Sequence, residues 1–273
     1  MTLGKEKRIG FIGAGNMARA IATGVLRKGI VWPENVLASD IQPQQRLEFE
    51  ESTGATALDS NLEVARRSHI LIIAVKPFHV ATVCSEILPT INQDKLLVSI
   101  CAGITTTFLE HQLGGRARVV RVMPNTPALI GCGAAAVAAG RFAEPDDVAT
   151  VLELFRAVGI AVEVPEDKMD LVTGLSGSGP AYVFYFAESL IAAAEKLGLS
   201  AETAELLVKQ MLYGASRLAL ESEKSLEALR AAVTTKGGTT EAGLRALESN
   251  GFSRIIEECV TAATHRSAEL AQQ

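Results

Sequence analysis

The sequence predicts a doubly wound α/β sheet followed by an all-α domain, and three observations carry that prediction. In the first half of the chain, short continuously apolar runs alternate with helical stretches of about 10–15 residues, as parallel strands buried on both faces require. A glycine-rich turn follows the first of those runs and opens a helix. After about Val164 no further β-branched run of strand length occurs, and long helices rich in Ala, Leu and Glu take over.

Taken in order, Arg8 to Ile12 (RIGFI) reads as a strand, and Asn16 to Lys28 as a helix stopped by Gly29. Val36 to Ser39 is strand-like, Gln44 to Ser52 helical, and Ile70 to Val75 (ILIIAV) a fully buried strand. Leu96 to Ile100 and Val119 to Val122 are further buried runs, joined by right-handed crossovers. A boundary in Val164-Pro165-Glu166-Asp167 divides the chain into domains 1–164 and 165–273. In the second, Pro180 to Leu197 is apolar nearly all round, while Ala201 to Leu220 and Phe252 to Leu270 are amphipathic. So apolar a central helix in so small a domain points to a partner chain that covers it, hence an obligate dimer. Burial within one chain is the alternative.

Composition narrows the function. With 48% hydrophobic residues and a mean hydropathy of +0.23, the 273-residue chain can bury a sizeable core, which excludes intrinsic disorder. A net charge of −5 and a pI near 5.5 argue against nucleic-acid or anionic-membrane partners, and 5% aromatics against base stacking. No apolar run approaches the roughly 18 residues that span a bilayer, and no signal-peptide core follows Met1 to Arg8. Cys84, Cys101, Cys132 and Cys259 are scattered without a CxxC, which disfavours disulfides and zinc. The expectation is a soluble, cytoplasmic, metal-free protein.

The first chemical motif is Gly13-x-Gly15-x-x-Ala18, after a strand and at a helix start. Gly13 allows the tight turn, Gly15 a close approach of backbone to a pyrophosphate, and Ala18 close helix–strand packing. The positive end of the helix then faces the phosphates, which fits a Rossmann-type dinucleotide domain, with a glycine-rich turn that holds no ligand as the alternative. Asp40, at the end of the second strand, can bind a ribose 2′-hydroxyl, whereas Ser39 and Arg46 could hold a 2′-phosphate, so NAD and NADP both stay open. Ala74-Val75-Lys76-Pro77, Ala102-Gly103 and Met123-Pro124-Asn125-Thr126-Pro127 each follow a strand, where ligands of such sheets lie.

The helical half holds two more glycine-rich helix starts. Leu175-Ser176-Gly177-Ser178-Gly179-Pro180 leads into the apolar helix, with Pro180 suited to its first turn. Thr234-Thr235-Lys236-Gly237-Gly238-Thr239-Thr240 precedes Glu241 to Glu248, with Thr239 or Thr240 as N-cap. Two such starts suggest an anionic substrate held by backbone amides, with plain capping as the alternative. His69, His79, His111 and His265 are isolated, and no Ser/His/Asp set is evident. An imine substrate fits that lack, because its nitrogen can already be protonated when hydride arrives.

Together FIGAGNMA, AVKP, VSICAG, RVMPNTPA, GLSGSGPAYV and VTTKGGTTEAGL resemble the pyrroline-5-carboxylate reductase family over nearly the whole chain. Lys236 departs from the proline that many members carry. The resemblance implies NADPH, or NADH, as reductant and a helical domain that dimerises, with dimers assembling further into rings. It implies cofactor contacts at Gly13, Gly15, Asn16, Met17, Ser39, Asn61, Val75, Lys76, Pro77, Ala102 and Asn125. For the substrate pair 1-pyrroline-5-carboxylate and L-proline it implies the Gly238-Thr239-Thr240 helix start, Ser176, Gly177, Ser178 and Gly179 beside it, and Glu166 near the pocket. Thr240 is the implied catalytic hydroxyl, hydrogen-bonded to the ring nitrogen. Two other readings compete. A β-hydroxyacid dehydrogenase or other imine reductase would carry a lysine on the helix after the glycine-rich loop, yet Lys196 arrives only at that helix's far end. A non-catalytic NADP sensor would need no carboxylate cradle.

Overall fold

The computed structural model describes residues 6–115 and 117–270. The chain alternates strands and helices: β1 (Ile9–Ile12), α1 (Asn16–Arg27), β2 (Val36–Ser39), α2 (Pro43–Thr53), β3 (Thr56–Leu58) and α3 (Asn61–Arg67). There follow β4 (Ile70–Ile73), α4 (Val80–Ile87), β5 (Leu96–Ser99), α5 (Thr106–Gln112), β6 (Arg118–Met123), β7 (Gly133–Ala139), α6 (Pro145–Arg156) and β8 (Gly159–Glu163). Then only helices occur: α7 (Met169–Val172), α8 (Gly179–Lys196), α9 (Ala201–Glu221), α10 (Leu226–Ala232), α11 (Thr239–Ser249) and α12 (Phe252–Leu270). Two compact units result, residues 1–178 with 262–273, and residues 179–261.

The first unit is one eight-stranded sheet in the order β3-β2-β1-β4-β5-β6-β7-β8. Alternation along each strand feeds two cores. Ile9 and Phe11 of β1, with Ile70 and Ile72 of β4, pack under Ile21 and Val25 of α1, Phe49 of α2 and Phe155 of α6. Ile12, Leu71, Ile73 and Leu97 face the other way, onto Val64 of α3, Val83 and Ile87 of α4 and Leu109 of α5. Helices on both faces explain why β1, β2, β4 and β5 are buried at every position. On this second side Lys95 is buried, its ammonium donating to the carbonyls of Ala65 (2.6 Å) and Ser68 near the end of α3. Burial lowers its pKa from the ordinary lysine value.

The structure departs from the sequence reading in three places. β3, β7 and β8 carry no strong strand signal: β3 has three residues, β7 is mostly alanine, and β8 is an edge strand with Ile160 and Val162 exposed. β7 runs antiparallel to β6, while every other pair is parallel. The β6–β7 link holds only a short 3-10 turn, Thr126–Ile130, and a parallel return needs a crossover of a dozen or more residues. The predicted strands Ile70 to Val75 and Leu96 to Ile100 stop at Ile73 and Ser99, which frees the residues after them to turn outward.

Residues 165–178, read from the sequence as part of the helical domain, are counted with the sheet. Met169 is fully buried against Ala136 and Ala138 of β7, with Met123, Val164 and Val172 packed around it. In the second unit α8 packs against α9. No residue of α8 is buried by its own chain, and Phe184 and Tyr185 are 63% and 72% exposed. Faces so apolar left open by one chain mark a surface for another.

Gly159 holds the start of β8 at φ +151°, and an added Cβ would lie 2.0 Å from the Gly133 carbonyl oxygen. Gly159→Ala is therefore expected to lower stability by about 1–3 kcal/mol, read as a shift in the urea midpoint at unchanged slope.

Candidate active site

Parallel pairing sends the carboxyl ends of β1, β2, β4 and β5 to one edge, and the turns there build the site. Gly13 follows β1 at φ +96°, with its amide on the Ser39 carbonyl at 2.8 Å. A Cβ on Gly13 would stand 2.6 Å from the Ala74 carbonyl oxygen, so only glycine lets the turn pass the end of β4. Gly15 is the extended N-cap of α1, with no side-chain cap, and a Cβ on it would meet only Gln45 Oε1 at 3.9 Å. The first-turn amides of Asn16, Met17 and Ala18 have no intrahelical acceptor. A bare, uncapped N-terminus on a 12-residue helix beside a glycine turn is a cradle that fits a pyrophosphate.

Polar groups around this turn are already committed to one another. Asp40 accepts hydrogen bonds from the amides of Ala14 (3.0 Å, Oδ2) and Gln42 (2.9 Å, Oδ1), which clamps the glycine turn to the end of β2. Ser39 is fully buried, its Oγ donating to Asn61 Oδ1 at 2.7 Å, and Asn61 Nδ2 donates to Glu86 at 2.7 Å. Arg46 donates to the Asp40 carbonyl at 2.7 Å, which brings a guanidinium to the end of β2. Both candidates for the ribose end, Asp40 and Arg46, therefore meet at one point.

The other two turns are tied together by a thiol. Cys101, just after β5, donates its S–H to the Val75 carbonyl at 3.2 Å. Val75 is half-buried, Lys76 and Pro77 are exposed, and Pro77 opens a short 3-10 turn. Ala102 sits half-buried ahead of Gly103. Burial pushes the Cys101 thiol up to about 11, against smaller opposing contributions from hydrogen bonds to Ser99 and Val75. Burial, and then the neighbouring Cys101, pushes Cys84 up to about 12. Both thiols therefore stay protonated at neutral pH and are structural. The sequence reading took Cys101 only as one of four scattered thiols, since a cysteine after a strand gives no signal of its bond to the Val75 carbonyl.

The segment 166–178 completes this edge. Glu166 accepts from the Thr106 amide (2.7 Å) and hydroxyl (2.5 Å) at the start of α5, and its Oε1 lies 3.5 Å from the buried Arg121 guanidinium. Arg121 also lies 4.0 Å from Asp170, which accepts from Ser267 of α12 at 2.7 Å. Glu166 thus has both oxygens engaged. The stretch Leu175 to Pro180 is not the free helix start expected from its glycines. The backbone runs on from α7 through a π-turn, Thr173–Gly177, whose amides are used internally, as in Ser178 N–H to Thr173 at 2.8 Å. Gly177 lies where a Cβ would stand 2.7 Å from Met123 Cε, and Asn125 Nδ2 donates to the Ser176 carbonyl at 3.0 Å. Asn125, Ser176 and Gly177 are therefore brought together; Ser178 follows them, and Gly179 opens α8.

In the second unit α11 does start bare. Neither Thr239 nor Thr240 is the N-cap: both are helical, and Gly238 caps with extended backbone and no side-chain bond. Gly237 at φ +73° sets this turn, its amide donating to Glu241 Oε2 at 2.8 Å, while the Gly238 amide goes to the Thr235 carbonyl at 2.9 Å. With the cap left to glycine, the exposed hydroxyls of Thr239 and Thr240 are not consumed as caps. The first-turn amides of Thr239 and Thr240 have no intrahelical acceptor, as an anion site requires. Among the described residues no group of three or more His, Cys, Asp or Glu is placed to hold a metal ion, and no helix is long and apolar enough to cross a membrane.

Two outcomes follow from this geometry. Gly13→Ala is expected to abolish nucleotide binding, measured by quenching of protein fluorescence, because its Cβ would press on the Ala74 backbone, which cannot give way as a side chain can. Iodoacetamide at pH 8 is expected to label exposed Cys132 in the native protein and to reach Cys84 and Cys101 only after unfolding. Their raised values also fix a sign: the unfolded thiols ionise first, near 9.0, so stability is full below that pH and falls as pH rises toward 11.

Comparison with known proteins agrees with this arrangement. Residues 166–270 match the family model for pyrroline-5-carboxylate reductase dimerisation, and residues 8–103 that for NADP oxidoreductase, coenzyme F420-dependent. The pyrroline-5-carboxylate reductase of Methanosarcina acetivorans is 40% identical over 98% of this chain and 100% of its own. That of Escherichia coli is 38% identical over 98% and 99%. A Coxiella burnetii pyrroline-5-carboxylate reductase structure superposes with a TM-score of 0.92 at 38% identity, covering 97% of this chain and 98% of that one. The Plasmodium falciparum enzyme, solved with NADP bound, gives 0.86 at 34% identity over 98% and 99%. With the glycine turn, the bare α11 start and full-length likeness in agreement, the chain belongs to the pyrroline-5-carboxylate reductase family.

Proposed function

We propose that this protein reduces 1-pyrroline-5-carboxylate to L-proline with NADPH as reductant and NADH as the second choice. The observation that carries the reading is the pairing, in one chain of this family, of a glycine turn shaped for a dinucleotide with an uncapped helix start suited to a carboxylate. When bound, the reduced nicotinamide supplies the hydride that saturates the C=N bond. Gly15, Asn16 and Met17 hold the pyrophosphate through backbone amides, Gly13 makes the turn that brings them up to it, and Val75, Lys76, Pro77 and Ala102 line the same edge. Ser39 and Asn61, bonded to each other, support the ribose end, where Arg46 offers a cation to a 2′-phosphate. That last contact favours NADPH over NADH.

The amides of Thr239 and Thr240, exposed by the Gly238 cap, fix the substrate carboxylate, and the Thr240 hydroxyl orients the ring nitrogen and relays a proton to it from solvent. Ser176, Gly177, Ser178 and Gly179 flank that substrate, and Glu166 holds the start of α5 beside the Ala102 turn. Most of the rate gain comes from positioning two bound reactants, since no strong acid is needed for a protonated imine. The dimerisation region and the uncovered α8 support a homodimer, which we extend to a ring of dimers. We place the protein in the cytoplasm, with residues 1–164 as the dinucleotide domain and 165–273 as the substrate and dimerisation domain. No part is assigned to nucleic acid or membrane.

The test follows cofactor absorbance with 1-pyrroline-5-carboxylate, with hydroxyacids and without substrate, using both nucleotides. Oxidation with a hydroxy- or keto-acid pair instead of the imine, or none at all, would sink the reading. Thr240→Val is expected to lower kcat about 10²-fold while the NADPH dissociation constant stays within about twofold. Unchanged turnover removes Thr240 from its role.

A further inference from the structure

Asn125 matches a position that the family resemblance gives to the cofactor, yet its side chain is spent elsewhere. Its Oδ1 accepts from the Ala134 amide at 2.8 Å, at the start of β7, and its Nδ2 donates to the Ser176 carbonyl at 3.0 Å. An α-helix would give the Ser176 carbonyl the amide of residue 180. That residue is proline and has none. The carbonyl lies in the π-turn Thr173–Gly177, where the helical ladder is already out of phase. A half-buried carbonyl without a donor is costly, and the β6–β7 loop supplies the donor from outside the helix. The space is close on both sides: a Cβ on Gly177 would stand 2.7 Å from Met123 Cε, and Pro124 and Pro127 hold Asn125 in a stiff loop.

We propose that Asn125 is a positioning residue, a latch that replaces the amide missing at Pro180 and so sets the π-turn, with Ser176 and Gly177, against the nucleotide edge of the sheet. Its contribution to catalysis depends on the function proposed above; its structural part does not. Pro180 and Asn125 form a matched pair: the proline opens a gap in the helix, and the amide fills it from the loop after β6. A bidentate side chain is needed, because one atom holds β7 while the other holds the π-turn. Asn125→Asp keeps the acceptor for Ala134 and removes the donor for Ser176.

The full-length protein is measured as wild type, N125D, P180A and the double variant. For N125D, kcat with 1-pyrroline-5-carboxylate is expected to fall about 10–100-fold while NADPH affinity, read without substrate by fluorescence quenching, stays within about twofold. Hydrogen exchange in a peptide spanning residues 173–179 is expected to speed up about tenfold, one lost hydrogen bond's worth. In the P180A background, where residue 180 brings its own amide, the N125D loss in both readouts is expected to shrink at least about threefold. A loss of NADPH affinity that parallels kcat would overturn the latch and return Asn125 to the cofactor. Unchanged exchange in N125D, or an equal loss with and without Pro180, would overturn it as well. Should wild type not turn over the imine, the exchange measurements still decide the latch, and only the functional reading falls.

Discussion

Parallel strands can be joined only by crossovers, and that constraint organises the molecule. Because β1, β2, β4 and β5 all run one way, their last residues open together, and each following turn delivers its side chains to the same edge. Helices cover both faces of these four strands, so a ligand meets them at their carboxyl ends. On that edge backbone passes close to backbone: the Gly13 turn runs by the Ala74 carbonyl with no room for a methyl group. Everything proposed for the nucleotide rests on that approach, since it lets the start of α1 point uncapped at the edge.

Around this constraint the polar groups form a frame more than a ligand set. Asp40 clamps the glycine turn, Ser39 and Asn61 bind each other below the surface, and Cys101 holds the Val75 carbonyl. Glu166 joins the start of α5 to the buried Arg121, and Asp170 links the same arginine to α12 through Ser267. Preorganised side chains of this kind keep backbone amides aimed outward at no cost when a ligand arrives. That suits chemistry in which the hydride comes from a bound dinucleotide and the protein mainly positions. The same economy holds at α11, where a glycine cap leaves both threonine hydroxyls unspent.

Much of this was legible in order along the chain. β1, β2, β4 and β5 stand out because strands buried on both faces are apolar at nearly every position, and Gly13-x-Gly15-x-x-Ala18 announces its turn through residues chosen for lack of bulk. β7 and β8 were not legible: alanines carry little strand preference, and an edge strand need not be apolar throughout. The π-turn was hidden for a different reason. The run of serine and glycine before Pro180 reads as a helix start, and only the packing of Met169 on β7 shows that the helix has already begun.

The amino-acid order by itself determined β1, β2, β4 and β5, the long helices, the two-faced sheet, the dinucleotide turn and the family, because these depend on local periodicity and on residues with no substitute, such as Gly13. Tertiary structure alone decided what each polar side chain does. Whether Asp40 meets a ribose or an amide, whether Glu166 faces a substrate or Thr106, and whether Asn125 serves a cofactor or a broken helix depends on which partner lies within about 3 Å. Those partners sit at separations of 26, 60 and 51 residues. Hydrogen bonds are short-ranged and directional, so only the folded chain can assign them.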